Sequence, residues 1–270
     1  MRYAEHPPSA DLAPLVACHW ILEATAAPAQ RIVPDGSPEL VLHWGESFRR
    51  RHDDGRRERQ PRCLVFGQLR GPLQLEPEGR VGVLGVRFHP AGAARLLRVP
   101  LAELTDLGVA SSDLWGDAAT RELEQRLADA SDDGARVTLV EGFLRQRLAL
   151  TSETDVDQLL RVVTGRLAAT QGRASVATLA DQLAVGRRRL ERAFAKGVGV
   201  SPKQLARVFR FQSVHRLAEV SPELSWSELA LRGGYADQAH LCREWKEMTG
   251  LSPTAWKREQ HEMARLFAAG

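Results

Sequence analysis

The chain has 270 residues, a length that suits two domains, each with a core of its own. Hydrophobic residues make up 43% and charged residues 26%, which is the balance of an ordinary globular protein and excludes a disordered or fibrous chain. The sequence contains no secretory leader pattern and no apolar run of roughly 18 residues that could span a membrane, so we expect a cytoplasmic protein without a membrane partner.

The net charge of +3 conceals two halves of opposite sign. From residue 170 onward, 16 Lys and Arg stand against 10 Asp and Glu, whereas residues 1–169 carry 21 against 24. Every lysine lies beyond residue 190. A basic carboxy-terminal half beside a mildly acidic amino-terminal half predicts a polyanionic partner for the basic half.

Four short segments between residues 17 and 89 are rich in branched and aromatic side chains and are bounded by Pro, Gly or Asp. They are "ACHWILE", "PELVLHWG", "RCLVFGQL" and "GRVGVLGVRF". This composition predicts β-strands. Residues 46–62, between the second and third segments, carry charges of both signs around an Asp-Asp-Gly turn, which favours a solvated hairpin loop over a nucleic-acid-binding arm.

After Pro90 the apolar residues recur at helical spacing. The segments with this pattern are "AGAARLL", "LAELTDL", "AATRELEQRLADA" and "RVTLVEGFLRQRLAL". The amino-terminal half is therefore predicted to be an α+β domain, a small β-sheet or barrel followed by helices. The polar residues 151–157 offer Thr and Ser as helix N-caps, so we predict a junction there, with domains at 1–150 and 153–265.

The carboxy-terminal half contains a weak internal duplication. The first copy is Leu179-Ala180, Leu190, Phe194, Gly199 and Ser201-Pro202, and the second is Leu229-Ala230, Leu241, Trp245, Gly250 and Ser252-Pro253. Each copy predicts a short helix, a glycine-containing turn and a second helix, which is the helix-turn-helix unit, with a plain helical hairpin as the alternative. A single helix of about 18 residues is predicted between the copies.

The second helix of each copy has one face for burial and one for a partner. If Leu190 and Phe194 face the core, steps of 100° per residue place Arg188 and Arg192 on the opposite side. A single glutamate stands among the four arginines of residues 187–192, where a solvated helix would interleave acidic residues. Guanidinium groups suit phosphates and the edge of guanine, so the pattern predicts a helix that binds the major groove of DNA.

These residues resemble the AraC/XylS family of bacterial transcription regulators. The resemblance spans about Ser175 to Arg258 and is strongest in "GYADQAHLCREW" and "TGLSP". It implies an all-α DNA-binding domain of two helix-turn-helix units joined by a long helix, in a sequence-specific regulator. The amino-terminal half, with "VPDGSPELVLHWG" and "LGVRFHPAGAARLL", is similar to a domain of unknown function that accompanies this DNA-binding domain.

Carried over by position, the family's recognition helices supply the candidate base and backbone contacts. The candidate DNA-binding residues are Arg187, Arg188, Arg189, Glu191, Arg192, Gln238, Ala239, His240, Arg243 and Lys246. Gly186 stands where the family commonly has a Ser or Thr cap, and glycine at the N-cap costs the helix little.

The resemblance implies that the amino-terminal half senses a small molecule or mediates dimerisation. Aromatic and histidine side chains in or beside the predicted strands are the candidates for lining a ligand pocket, with plain core packing as the alternative. They are Trp20, His43, Trp44, Phe66 and Phe88. The candidate partners are double-stranded DNA, a small-molecule effector, RNA polymerase and a second copy of the chain.

The competing hypothesis is a fusion of the DNA-binding domain with a catalytic or metal- or alkyl-sensing domain. The sequence has no nucleophile elbow, phosphate loop, zincin motif or dinucleotide fingerprint, so we expect no enzyme and no cofactor. Cys18, Cys63 and Cys242 are widely spaced and predict reduced thiols. His19, His43 and His89 with Cys18 or Cys63 match no local ligand spacing, so no metal site is expected.

Overall fold

The computed structural model describes residues 1–259 of the chain, and residues 260–265 of the predicted second domain lie outside the described range. The strands are β1 (Arg2–His6), β2 (Val16–Ala24), β3 (Gln30–Ile32), β4 (Glu39–His43), β5 (Arg49–Arg51), β6 (Arg57–Arg59), β7 (Cys63–Phe66), β8 (Leu73–Glu76), β9 (Val81–Phe88) and β10 (Gly108–Ala110). The helices are α1 (Ala94–Leu97), α2 (Ser111–Trp115), α3 (Asp117–Asp129), α4 (Asp133–Leu148), α5 (Asp155–Ala169), α6 (Val176–Gln182), α7 (Arg187–Gly197), α8 (Pro202–Val220), α9 (Trp226–Arg232) and α10 (Gln238–Thr249).

The amino-terminal half contains two open antiparallel sheets. The larger has the strand order β1-β2-β9-β4-β7-β10 and the smaller has the order β3-β8-β5-β6. The four predicted strand segments become β2, β4, β7 and β9, which neighbour one another in the larger sheet. The α+β fold class predicted for this half is confirmed.

Both faces of the larger sheet are buried. Leu40 and Leu42 of β4 pack on one face with the helices α1, α3 and α4, whereas Val41 between them packs on the other face with Leu73 and Leu75 of the smaller sheet. Successive side chains of a strand point to opposite faces, so a sheet covered on both sides needs unbroken apolar strands. This explains why the strand segments lack the polar alternation of a half-exposed sheet.

The predicted charged hairpin of residues 46–62 forms β5, β6 and their turn. Several of its arginines are paired with carboxylates: Arg49 Nε lies 2.7 Å from Glu78, and Arg59 Nη2 lies 2.6 Å from Glu46. All three residues of the edge strand β6 are exposed. Charged side chains on an edge strand discourage pairing with other chains, and the expectation of a solvated hairpin is confirmed.

The segment "LAELTDL" differs from the helix that its spacing predicts. Leu101–Leu104 forms one 3₁₀ turn, and the chain then extends at Thr105. The helix stops because Asp106 adopts a positive φ of 63°, where its backbone N–H donates to the carbonyl of Gln68. The Asp106 carboxylate accepts hydrogen bonds from the backbone and side chain of Arg70. A long-range contact therefore overrides the local helical pattern.

The carboxy-terminal half is helical and has two apolar cores that share α8. The first core joins α5, α6, α7 and the beginning of α8 around Leu190 and Phe194. The second joins the rest of α8, α9 and α10 around Phe211, Leu241 and Trp245. Because one helix contributes to both cores, the two helix-turn-helix units are held on one continuous support.

The connection between the two halves is short. Residues 149–154 join α4 to α5, and Thr154 caps α5 in a reciprocal arrangement with Asp157, which agrees with the N-cap predicted there. We place the proposed domain boundary in this connection. None of the helices within residues 1–259 is both long enough and apolar enough to cross a bilayer.

Candidate nucleic-acid interface

The helix α7 presents its arginines because its opposite side is buried. Leu190 and Phe194 are 1% and 0% exposed and pack in the first helical core, as the 3.6-residue spacing predicts. Gly186 occupies the N-cap with an extended backbone and no side-chain cap, so the first backbone N–H groups of α7 have no side-chain acceptor. The amino-terminal end of α7 is therefore electropositive even before its arginines are counted.

The helix α10 is built on the same plan with a stronger cap. The Asp237 carboxylate accepts a hydrogen bond of 2.6 Å from the backbone N–H of His240. Gly250 ends the helix with a φ of 75°, the left-handed conformation that glycine tolerates best. Leu241, Trp245 and Met248 are fully buried, so the opposite side of α10 faces away from the core.

Nine of the ten candidate DNA-binding residues are exposed. They are Arg187, Arg188, Arg189, Glu191, Arg192, Gln238, Ala239, Arg243 and Lys246. His240 differs because it is half-buried, with its ring edge-on to Tyr235 at 5.2 Å between centroids. His240 therefore helps to pack α10 against the preceding turn and is also partly exposed on the outer surface of the helix.

Some candidate residues already have partners within the chain. Arg187 forms an ion pair of 3.0 Å with Glu191 one turn along α7, and the Gln238 side chain accepts a hydrogen bond of 2.6 Å from Ser227. In contrast, within residues 1–259 no ion pair or side-chain hydrogen bond engages Arg188, Arg192 or Arg243. These three guanidinium groups therefore keep their full capacity to bind an external acceptor.

Both recognition helices border one groove of about 1100 Å³. Arg187 and Glu191 line it from α7, whereas His240 and Arg243 line it from α10. The exposed Lys203, in the first turn of α8, lines the groove between them. One flank of α7 and one flank of α10 thus border the same groove, whereas Arg188 and Arg192 lie outside its lining. No part of the amino-terminal half lines the groove.

The arginines of α8 have a role that the sequence did not indicate. Arg207 and Arg210 both bind the carboxylate of Glu244, which is on α10 and is 2% exposed. Burial opposes ionisation of Glu244, but the hydrogen bonds from Arg207 and Tyr235 and the charge of Arg210 outweigh it and lower its pKa. Arg207 and Arg210 are therefore committed to an internal ion cluster, and the signal that could have revealed it is an acidic residue at a core position of an amphipathic helix.

The five candidate ligand-binding residues lie on both faces of the larger sheet. Phe88 and Trp44 pack with the helix-covered face, whereas Phe66 and Trp20 pack with the face toward the smaller sheet. Trp20 covers Gly85, where a Cβ would lie 2.0 Å from the indole, and its Nε1 donates to Glu39. None of these residues lines the groove beside α7 and α10 or the cavity between the two halves of the chain, so their assignment to a ligand site stays a prediction.

A cavity of about 560 Å³ lies between the two halves of the chain. Its polar lining comes from both sides: Arg31, Asp35 and Arg87 from the amino-terminal half, and Gln171, Gln212 and Arg216 from the helical half. Arg87 is held by carboxylates, with its Nε 2.9 Å from Glu39 and 3.4 Å from Asp35. Burial and the nearby charge of Asp35 raise the pKa of Glu39 to about 7.

The two thiols of the amino-terminal half, Cys18 and Cys63, are in environments that do not activate them. Burial raises the pKa of Cys63 to about 12, and its Sγ lies 3.0 Å from the Ser111 hydroxyl. Burial likewise raises the pKa of Cys18, so both thiols stay protonated at neutral pH. The buried His19 contacts Glu141 at 3.2 Å. In the part of the chain that the structure describes, no group of three or more His, Cys, Asp or Glu side chains could hold a metal ion.

Two family models match the chain. Residues 4–110 match a domain of unknown function, DUF6597, and residues 179–259 match a helix-turn-helix domain of the AraC type. No curated protein sequence matches the chain.

Three solved structures align with most of this chain at low sequence identity and low TM-score. ToxT from Vibrio cholerae O395 has 11% identity and a TM-score of 0.46, with 87% of this chain and 95% of ToxT covered. ToxT from strain SCE256 bound to an unsaturated fatty acid has 9% identity and a TM-score of 0.46, over 87% of this chain and 92% of that one. CuxR, described as an AraC-like transcriptional activator, has 13% identity and a TM-score of 0.28, over 80% of this chain and 87% of CuxR.

Two helix-turn-helix units, each with exposed arginines on its second helix, together with the helix-turn-helix match, define the class: the chain is a DNA-binding transcriptional regulator. Its carboxy-terminal half is an AraC-type helix-turn-helix domain, which follows a DUF6597 domain, and the resemblance to AraC/XylS regulators is confirmed.

Proposed function

We propose that α7 and α10 enter successive major grooves of one DNA duplex and read base edges there. The observation that carries this proposal is that α7 and α10 border the same groove, and that each presents exposed arginines for which residues 1–259 supply no side-chain partner. Arg188 and Arg192 of α7, and Gln238 and Arg243 of α10, are the proposed base contacts, because guanidinium and amide groups pair with guanine and adenine edges.

The length of α8 supports this arrangement. Its 19 residues span about 29 Å at 1.5 Å per residue, close to the roughly 34 Å between successive major-groove faces on one side of B-DNA. The cationic Lys203 and the amino-terminal ends of α7 and α10 are suited to bind the phosphates between the two grooves. Phosphate contacts would fix the register, and base contacts would supply the specificity.

The experiment is selection of binding sites from random duplex DNA followed by hydroxyl-radical footprinting. The proposal requires a selected sequence with two conserved half-sites whose centres are about 10 base pairs apart, protected on one face of the duplex. Arg121→Ala, a loss of the same charge on the exposed surface of α3, serves as the control that leaves the selected sequence unchanged. A single conserved half-site would contradict insertion of both helices.

The amino-terminal half is proposed to modulate DNA binding through the contacts that join it to the helical half. The Gln212 side chain of α8 donates a hydrogen bond of 2.6 Å to the carbonyl of Pro34, and Arg31 donates to the carbonyl of Thr249 at the end of α10. Thr105 donates to the carbonyl of Gly199, just beyond α7. A change in these contacts would reach both recognition helices.

The polar cavity between the halves is the proposed site of a small-molecule effector. A molecule held by Arg31 from one half and by Gln212 and Arg216 from the other would favour one relative arrangement of the two. A thermal-shift screen of metabolites, followed by DNA-binding titrations with each stabilising compound, tests this. A sensor gains stability and changes its DNA affinity without turning the compound over, whereas release of a product would favour an enzyme.

Arg216→Ala and Arg232→Ala form a matched pair for the effector site. Both arginines are exposed and lie in the helical half, but Arg216 lines the cavity and Arg232 is outside its lining. The effector response should weaken in Arg216→Ala and persist in Arg232→Ala. Equal responses in the two variants would place the effector elsewhere.

A further inference from the structure

Glu244 lies on the recognition helix α10 but on the side that faces α8. Its carboxylate is fully engaged: Oε2 accepts a hydrogen bond of 2.8 Å from Arg207 Nε, and Oε1 accepts one of 2.7 Å from the Tyr235 hydroxyl. Arg210 Nη2 lies 3.2 Å from Oε2, and its guanidinium stacks over the Tyr235 ring at 4.7 Å. The cluster thus joins α10, α8 and the turn between α9 and α10.

Such an ion cluster fixes the orientation of its helices more than it stabilises the fold. Moving charged groups out of water costs about as much as their attraction returns, so a buried ion pair is weak evidence for a stabilising role. Charge-assisted hydrogen bonds nevertheless hold their partners in one geometry. The apolar contacts of Leu241 and Trp245 lack this property, because burial of apolar surface is non-directional.

The two helix-turn-helix units differ at this position. With Leu190 aligned to Leu241, the residue that corresponds to Glu244 is Ala193, which is 9% exposed and packs in an apolar core. At this position α7 is therefore held by apolar contacts and α10 by an ion cluster. The recognition helix of the second unit is thus held by charge-assisted hydrogen bonds at a position where the first unit has only apolar contacts.

We infer that Glu244 is a positioning residue that fixes the rotation of α10 on α8, and so sets the direction in which Arg243 meets DNA. Arg243 precedes Glu244 by one residue, a step of about 100° around the helix, so holding the carboxylate against α8 holds the guanidinium toward the groove. This inference rests on the proposal that α10 reads bases. Its consequence is specificity in one half-site, without a contact between Glu244 and DNA.

The test compares Glu244→Gln with the wild-type protein on three duplexes. They are the selected site, the same site with the α7 half scrambled, and the same site with the α10 half scrambled. The preference for the intact α10 half should fall roughly fivefold or more in Glu244→Gln, as for a lost base contact, while the preference for the intact α7 half is retained. Affinity for an unrelated duplex should not fall, because every arginine is still present.

Glu247→Gln is the matched control. Glu247 is one turn further along α10 and binds the same Arg207, but its side chain is 61% exposed. We expect Glu247→Gln to keep both preferences. Tyr235→Phe removes one hydrogen bond to Glu244 and keeps the ring, so it should reduce the α10 preference in the same direction by a smaller factor, and it provides the test if Glu244→Gln does not fold.

The outcomes separate this inference from the proposed function. If wild-type protein does not discriminate the α10 half at all, both ideas are wrong. If wild-type protein discriminates it and Glu244→Gln does so equally well, only the positioning role is overturned. Parallel loss in both halves and on unrelated DNA would also overturn it, since that is the signature of general unfolding.

Discussion

The hydroxyl of Thr105, in the amino-terminal half, donates a hydrogen bond of 2.7 Å to the backbone carbonyl of Gly199, two residues beyond the end of α7. Gly199 has a φ of 95°, and a Cβ on it would lie 2.9 Å from the carbonyl oxygen of Leu101. The first recognition helix therefore ends directly against the 3₁₀ turn of the other half. Any movement between the halves must change this contact.

Thr105→Val should weaken that contact while keeping the shape of the side chain. The Gly199 carbonyl loses a partner, which is expected to lower the free energy of unfolding by about 1 kcal/mol. Urea denaturation measures the loss, and hydrogen exchange should become faster for the amides of residues 198–200. Thr178→Val, on the exposed surface of α6, is the control and should change neither quantity. An equal effect of the two variants would show that the Thr105–Gly199 hydrogen bond does not stabilise the protein.

Gly36→Ala tests the second contact between the halves. Gly36 has a φ of 87°, and a Cβ there would lie 2.9 Å from the Phe209 ring and 3.1 Å from Leu205, both on α8. Gly55 has a similar φ of 83° with nothing within 4 Å, so Gly55→Ala carries the backbone strain alone. We expect Gly36→Ala to destabilise the protein by about 1 to 3 kcal/mol more than Gly55→Ala, the usual cost of overpacking.

Thermal unfolding of the two glycine variants measures this difference. Because the strained backbone is common to both, the difference reports the packing of the 34–36 loop on α8. Equal melting temperatures would mean that this loop does not hold the helical half.

We expect the buried His43 to lower the free energy of unfolding in mild acid. Burial lowers its pKa from 6.5 to about 4, so the unfolded chain takes up a proton at higher pH than the folded protein does. A lowered folded-state pKa contributes stability that is present above pH 6.5 and is lost as the pH falls toward 4. From pH 7.5 to pH 5 the contribution lost is about 2 kcal/mol.

The measurement is urea denaturation of wild type and His43→Leu at both pH values. Carboxylates elsewhere titrate alike in the two proteins, so the difference between them isolates His43. The wild-type protein should lose about 2 kcal/mol more than the variant on acidification. Parallel losses would show that His43 is not kept neutral by burial.

Local sequence patterns were sufficient to predict the strands and helices whose apolar residues repeat at regular spacing. The strand segments and the repeat around Leu190 and Leu241 predicted β2, β4, β7, β9, α7 and α10, because strand and helix periodicities are set by burial on one or both faces. The exposure of Arg188 and Arg192 follows from the same periodicity.

Contacts between residues distant in sequence were beyond that kind of prediction. The 3₁₀ turn at 101–104 depends on the bonds of Asp106 to the Gln68 and Arg70 segment, and the ion cluster of Glu244 depends on arginines more than 30 residues earlier. The sequence shows such charges but not their partners. Because the fold decides which charges meet, the sequence alone could not show that Arg207 binds an internal carboxylate while Arg188 stays exposed.

We propose that α7 and α10 read separate half-sites of one duplex. The most direct test measures the affinity of Arg188→Ala and Arg243→Ala for three duplexes: the selected site and its two half-scrambled versions. Each variant should lose about 1 to 3 kcal/mol on the selected site, and each should become indifferent to scrambling of a different half. Unchanged affinity in both variants, or sensitivity of both to the same half, would contradict the claim.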